Sequence, residues 1–266
     1  MITILGATGF IGRHLATRLR ELGTDCFCPG RNEPLTPRAL GHVIYCIGLT
    51  ADFRQRPYET VEAHVCKLGD VLRHCEFDSL LYLSSTRVYG LYGPLAKEED
   101  TLRVSSSNSG DLYNISKLMG ESLALSSSRS TRVARLSNVY GDDFSSNNFL
   151  NSIVRDAVCS GKVTLRTTLD SAKDYVGVRD VVNCLIKIVT NGKSRVYNVA
   201  AGFNVSNREL AEALQSLTGC EVSVTRDAKQ KVLPTIDVGR IRGEFDFTPG
   251  SLLDEMPTLV ETCRRR

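Results

Sequence analysis

Apolar residues fall into two alternating rhythms along the chain. Short β-type runs give way to longer stretches in which apolar positions recur every three or four residues. Ile2–Leu5, Asp25–Cys28, His42–Ile47, Ser79–Leu83 and Arg132–Leu136 read as strands. Ile11–Leu22, Thr60–His74, Asp111–Ser126, Asn148–Ser160 and Val178–Val189 read as helices, the first closed by Gly23 and the fourth by Gly161. This alternation predicts an α/β fold, a Rossmann-like doubly wound parallel sheet with helices on both faces. Strands buried on both faces show continuous apolar runs, as these do.

Two polar stretches interrupt the rhythm. Leu91–Gly110 contains Lys97-Glu98-Glu99-Asp100 and the run Ser105–Ser109, and predicts a surface loop beside a site. Asp142–Asn148 predicts a second loop. After Arg195 the order changes. A strand (Val196–Val199), a helix (Asn207–Leu217), a strand (Glu221–Val224) and a helix near Leu252–Cys263 predict a small C-terminal α/β lobe. The expected division is 1–145 for a dinucleotide-binding core and 146–266 mainly for a substrate lobe, with elements up to residue 200 partly returning to the core.

Composition narrows the classes. The 266 residues suffice for one large α/β domain with an appendage. With 42% hydrophobic and 24% charged residues the chain is an ordinary soluble one. A formal net charge of +3 gives no nucleic-acid footprint, and the only basic run, Arg264–Arg266, reads as a solvated tail. No apolar stretch reaches the ~18 residues of a membrane span, and the N-terminus shows no cleavable leader. None of the nine cysteines falls in a CxxC pair, so reduced thiols and a cytoplasmic location are expected. His14, His42, His64 and His74 show no metal-site spacing, so no metal is expected.

Three motifs carry chemistry. Gly6-Ala7-Thr8-Gly9-Phe10-Ile11-Gly12 lies between the first strand and the first helix. Glycines there let the turn tighten and a pyrophosphate approach the backbone, while the helix start offers unpaired N–H groups. At the end of the second strand, Gly30 stands where a carboxylate would read a ribose 2′-hydroxyl; Arg31 and Asn32 follow, and no acid comes before Glu33. The cation favours a 2′-phosphate, so NADP(H) is expected, with NAD(H) the alternative. Tyr113 and Lys117 share one helix face at i and i+4, where an ammonium favours the phenolate and lowers its pKa. Ser84-Ser85-Thr86-Arg87 leaves an apolar strand at the carboxyl end of the sheet, where a hydroxyl can bond a substrate oxygen beside that tyrosine.

Together these motifs resemble the extended short-chain dehydrogenase/reductase family, the NAD-dependent epimerase/dehydratase group. The resemblance implies Ser85, Tyr113 and Lys117 as the catalytic set. It implies Gly6, Thr8, Gly9, Phe10, Ile11, Gly12, Arg31, Asn32, Ile47, Gly48 and Ser137 around the cofactor, with Tyr113 and Lys117. It also implies Thr86, Arg87, Asn138, Asn148, Lys173 and, more loosely aligned, Lys229 on the substrate side. Arg135–Gly141, Lys173–Val181 and Tyr197–Ala200 are similar to further family segments.

The departures are informative. Thr86 and Arg87 stand where the family's dehydratases carry an acidic pair, so dehydration is not expected. His64 occupies the place of a usual Asn, with a core histidine as the simpler reading, and Gly177 replaces a common His. The expected activity is NADP(H)-dependent reduction of a 4-keto nucleoside-diphosphate sugar. The alternative is an epimerase that retains its cofactor, and a third, less favoured reading is an inactive NAD(P)-binding regulator. The family also implies a possible homodimer through helices 60–74 and 111–126.

Overall fold

The computed structural model describes every residue except Ala51, Ser145 and Asn147. Two of these lie in the expected 142–148 loop, so that part of the expectation falls outside the described residues.

The N-terminal half runs β1 (Ile2–Leu5), α1 (Phe10–Glu21), β2 (Cys26–Phe27), β3 (His42–Tyr45), α2 (Pro57–Val61), a π-helical turn (Glu62–Cys66), α3 (Lys67–His74) and β4 (Ser79–Ser85). A 3-10 turn (Thr86–Tyr89), β5 (Leu95–Ala96), a second 3-10 turn (Ser109–Asp111), α4 (Leu112–Ser126) and β6 (Thr131–Leu136) follow. Then come β7 (Asn138–Tyr140), α5 (Phe149–Cys159), β8 (Lys162–Thr167), β9 (Ala172–Gly177), α6 (Val178–Asn191), β10 (Val196–Val199) and β11 (Asn204–Ser206). The chain closes with α7 (Asn207–Thr218), β12 (Glu221–Lys229), β13 (Thr235–Ile236), α8 (Gly239–Phe245) and α9 (Leu252–Arg264).

Six parallel strands form the main sheet in the order β10-β6-β4-β3-β1-β2. The order reverses at β1, which opens a crevice between the ends of β1 and β3. The second strand is only two residues long, and the chain reaches β3 through residues 28–41 without a helix. That shortcut leaves the crevice beside β2 walled by a loop.

Apolar side chains fill both faces. Ile4, Leu15, Leu19, Leu185 and Ile188 meet between the sheet, α1 and α6. Tyr45, Leu68, Tyr82 and Ala124 meet on the face covered by α3 and α4. Each fully buried Leu or Ile contributes roughly 1.5–3 kcal/mol, so these runs hold the strand ends that carry the site. A third cluster, with Leu150, Val154, Leu214, Leu252 and Met256, is the core of the C-terminal lobe. There α5, α7 and α9 pack together beside the β8–β12 pair. Ser206 and Glu209 close α7 with reciprocal capping bonds.

Several boundaries differ from the sequence pattern. Val196–Val199 belongs to the main sheet beside β6 and does not begin the lobe. The helix expected from Thr60 starts at Pro57, because proline fits a first helical turn, and it contains the π turn. Strand β8 alternates exposed polar and buried apolar residues, a weaker signal than the buried core runs, and β9 carries Lys173 and Asp174 ahead of its buried Tyr175–Val176. β12 runs five residues beyond Val224, through charged residues that face solvent.

Candidate active site

The glycine turn is sterically committed. Gly6 has φ of +89°, and a Cβ there would lie 3.0 Å from the Cys46 carbonyl carbon and the Ile47 nitrogen. A Cβ on Gly12 would lie 2.2 Å from the Gly6 oxygen, so only glycine lets α1 start this close to β1. Gly9 caps the helix without a side-chain bond, leaving the first N–H groups of α1 free to meet an anion. Gly6, Thr8, Gly9, Arg31, Ile47 and Gly48 all line one open cleft of about 770 Å³. Phe10 and Ile11 turn into the core packing of α1. Asn32 is exposed on the turn after β2 and does not line the cleft. A backbone cradle of this size and shape fits a dinucleotide.

Glu33 also lines the cleft, and sequence reasoning passed over it. Its backbone N–H donates to the Gly30 oxygen (3.1 Å), and its carboxylate accepts the Gly30 N–H (3.0 Å). The tight turn folds an acid back to the end of β2, beside Arg31. The signal was a Gly-x-x-Glu spacing that allows a one-turn return.

Tyr113 and Lys117 sit on the first turns of α4, and both are buried. The Ser85 hydroxyl, at the end of β4, hydrogen-bonds the Tyr113 phenol. Burial pushes the phenol pKa up, opposed by the Ser85 bond and then by Arg87. Lys117 Nζ donates to the Leu83 oxygen at 2.8 Å. Burial draws its pKa down to about 7, and Glu121 one turn along opposes the fall. Ser85 and Arg87 thus oppose the rise, and Lys117 Nζ lies 5.9 Å from the Tyr113 ring centre.

Thr86 and Arg87 lie in the 3-10 turn after Ser85, whose Oγ accepts the Arg87 N–H at 3.2 Å. The Arg87 guanidinium donates to the Gly110 oxygen (3.0 Å) and lies 5.3 Å from the Tyr113 ring centre. Neighbouring Ser84 faces away from the cleft, donating to Glu121 at 2.5 Å. Glu121 in turn pairs with Arg135 in a buried bridge of 2.7 Å.

The remaining expected residues divide. Ser137 Oγ donates to Asp174 (2.5 Å) and Asn138 Nδ2 to the Asp174 backbone oxygen (2.7 Å), so both tie β7 to β9. Asn148 caps α5 through the Asn151 N–H. Lys173 Nζ lies 4.2 Å from the Phe149 ring centre, and burial, then Lys231, draws its pKa down to about 8. The cation beside Lys173 is thus Lys231; Lys229 is exposed at the end of β12. Both lysines are exposed, and Lys231 follows the end of β12, where its N–H donates to Ser171.

Another residue closes the site from behind. His64, on the π turn, is fully buried. Tyr45 and Tyr82 hydroxyls donate to the Ala63 and His64 oxygens at 2.7 and 3.2 Å, satisfying carbonyls of the widened turn. A Cβ on Gly48 would lie 3.1 Å from His64 Nε2 and 3.4 Å from Lys117 Nζ, so all three meet at the cleft wall.

The sequence matches the NAD dependent epimerase/dehydratase family over residues 2–200. The chain belongs to that family. The family is one of NAD-dependent epimerases and dehydratases. A curated relative from Streptomyces, dTDP-4-dehydro-6-deoxy-D-allose reductase, is 24% identical over 99% of this chain and 95% of its own length. Among solved structures, MoeE5 in complex with UDP-glucose and NAD superposes with a TM-score of 0.83 at 22% identity, covering 99% of this chain and 98% of that one. UDP-glucose 4-epimerase from Thermotoga maritima gives 0.80 at 19% identity, covering 99% and 98%. At these identities the structural likeness establishes the fold. No helix among the described residues is long and apolar enough to cross a membrane.

Proposed function

We propose that the protein epimerises a nucleoside-diphosphate sugar at one ring hydroxyl, by oxidation and return reduction with a retained nicotinamide. The observation that carries this reading is Thr86-Arg87 directly after Ser85. Where dehydratases of the family hold two acids, this chain presents a hydroxyl and a guanidinium. The site has groups to move one proton beside a hydride, and none at that position to eliminate water.

When bound, the nicotinamide supplies the hydride acceptor and donor. Tyr113 takes the proton of the sugar hydroxyl and later returns it. Ser85 holds that oxygen, and Arg87 steadies the phenolate. Lys117 would hold the nicotinamide ribose, with Gly6, Gly9 and the start of α1 at the pyrophosphate. Lys173 and Lys231 suit the substrate diphosphate. Residues of the C-terminal lobe would enclose the nucleotide sugar. Exposed Tyr58, Met119 and Leu123 on the helices flanking the site support a homodimer.

Two residues compete over the cofactor. Arg31 supports NADP(H). Glu33, held at the end of β2, supports NAD(H), because a carboxylate suits a 2′-hydroxyl and repels a 2′-phosphate. A retained cofactor that begins by oxidising fits NAD, and we take NAD(H) as the resident form.

A 4-ketoreductase is the second reading. It is favoured by the curated reductase relative and by the raised Tyr113 pKa, which keeps the phenol protonated as a reductase's acid must be. The test is to identify any dinucleotide released from the denatured protein, then follow UDP-glucose and UDP-glucuronic acid by NMR alongside nicotinamide absorbance. A C4 epimer without net absorbance change supports the epimerase. Stoichiometric oxidation of added NADPH by a 4-keto sugar overturns it in favour of the reductase.

A further inference from the structure

Two guanidinium groups converge beside the catalytic tyrosine. Arg54 lies 4.5 Å from the centre of the Phe53 ring and Arg87 4.9 Å from the same ring. Phe53 is itself buried and stacks 5.4 Å from Tyr113. Both cations reach Gly110: Arg87 donates to its oxygen, and a Cβ there would lie 3.8 Å from Arg54 Nη2. Among the described residues neither has a carboxylate within ion-pair distance. Asp111, the nearby acid, already accepts the Ser105 N–H and the Asn114 amide. Two like charges held against one aromatic ring repel each other, and an anion between them relieves that repulsion. Burial lowers the Arg87 pKa and Arg54 adds to the fall, while Tyr113 and then Asp111 oppose it.

The place of this pair decides what the anion is. Tyr113 and Ser85 mark the reacting carbon. In a hexose linked to a diphosphate at C1 and reacting at C4, the diphosphate lies across the ring, and the substituent on C5 lies next to the reacting carbon. We propose that Arg54 and Arg87 receive a carboxylate on C5, so that the substrate is a nucleoside-diphosphate uronic acid. The carboxylate takes bidentate, charge-assisted bonds from guanidinium forks. Lys173 and Lys231 form a second cation pair, which leaves the diphosphate its own partners. The inference rests on the nucleotide-sugar reading and narrows it.

The experiment is calorimetric titration of the cofactor-loaded protein with UDP, UDP-glucose and UDP-glucuronic acid, repeated with the thymidine series, on wild type, Arg54→Gln and Arg87→Gln. Cofactor binding serves as the folding control, and exposed Arg54 makes the first variant the safer one. The expected result is UDP- or dTDP-glucuronic acid binding at least tenfold tighter than the matching glucose compound. Arg54→Gln should erase most of that margin and leave the free nucleotide unchanged. Equal affinity for acid and neutral sugar overturns the proposal while the nucleotide-sugar reading stands. Equal weakening of all three ligands in Arg54→Gln also overturns it, by assigning Arg54 to the diphosphate. No binding in either series overturns both.

Discussion

His64 Nδ1 lies 2.8 Å from Ser116 Oγ. The other ring nitrogen, Nε2, accepts the Leu49 N–H at 3.3 Å, so Nδ1 carries the proton and donates to Ser116. Ser116 Oγ passes its own proton to the Tyr113 backbone oxygen at 2.9 Å. One imidazole thus joins the cleft wall after β3 to the helix that carries the acid–base pair. His64→Ala should lower kcat by roughly 10- to 100-fold through misplacement of Tyr113, with a smaller change in KM. His64→Asn should recover part of the loss. Steady-state kinetics of the two variants check this, and equal damage in both would argue for a purely space-filling histidine.

The same residue predicts an acid sensitivity. Burial, then Lys117, depresses the His64 pKa from 6.5 to about 3. Between those values the unfolded chain binds a proton that the folded chain refuses. This contribution to stability is full above the unfolded pKa and is lost as pH falls toward the folded one, by an amount on the order of a few kcal/mol. Urea unfolding at about pH 7 and about pH 4.5 should show a smaller drop for His64→Gln than for wild type.

Tyr113→Phe should reduce turnover by about 10²- to 10⁴-fold while cofactor affinity stays within about twofold. Lys117→Met carries a signature of its own. The Lys117 pKa falls from 10.5 to about 7 on folding, so the unfolded chain holds the extra proton between those values. Wild-type stability should therefore rise with pH through that window, and the methionine variant should lack the rise. Chemical denaturation of the cofactor-free protein at several pH values reads it out.

Gly12→Ala places a Cβ 2.2 Å from the Gly6 oxygen. The turn must open, and dinucleotide affinity should fall by about 100-fold or more with melting lowered by several degrees. Fluorescence titration with NADH measures the first effect.

Glu33→Gln should move the ratio of NADPH to NADH affinity toward NADPH by roughly tenfold, the cost of placing a carboxylate against a phosphate. Arg31→Ala should move it the other way. A Glu33→Gln variant with an unchanged ratio would mean that the turn residue never meets the ribose.

Much of the fold was legible because buried parallel strands leave unbroken apolar runs, as Val43–Tyr45 and Leu80–Leu83 do. The glycine turn, Ser85 and the Tyr113–Lys117 pair were legible because their chemistry depends on local spacing. What escaped depends on return paths. Glu33 reaches the cleft only because its turn closes on Gly30. Lys231 escaped because it lies past the end of β12, where the return of the chain toward Ala172, not any local spacing, brings it beside Lys173. His64 reads as a core histidine in sequence and is one by burial, yet its two ring nitrogens serve opposite walls of the site. Arg54 gave no signal at all, since only the packing of Phe53 under Tyr113 brings it near Arg87.

The π turn at Glu62–Cys66 acts as an angular setting. A π turn takes about one residue more than an α turn, and one residue is about 100° of helix rotation. Everything upstream on that segment, including the stretch bearing Phe53 and Arg54, takes its bearing from that single extra residue. Removing one residue from 62–66 would let the helix run on as ordinary α and swing the upstream chain about a quarter turn away from Tyr113. The reach of Arg54 toward the cleft is therefore encoded as a residue count in a helix, as much as in the identity of the arginine.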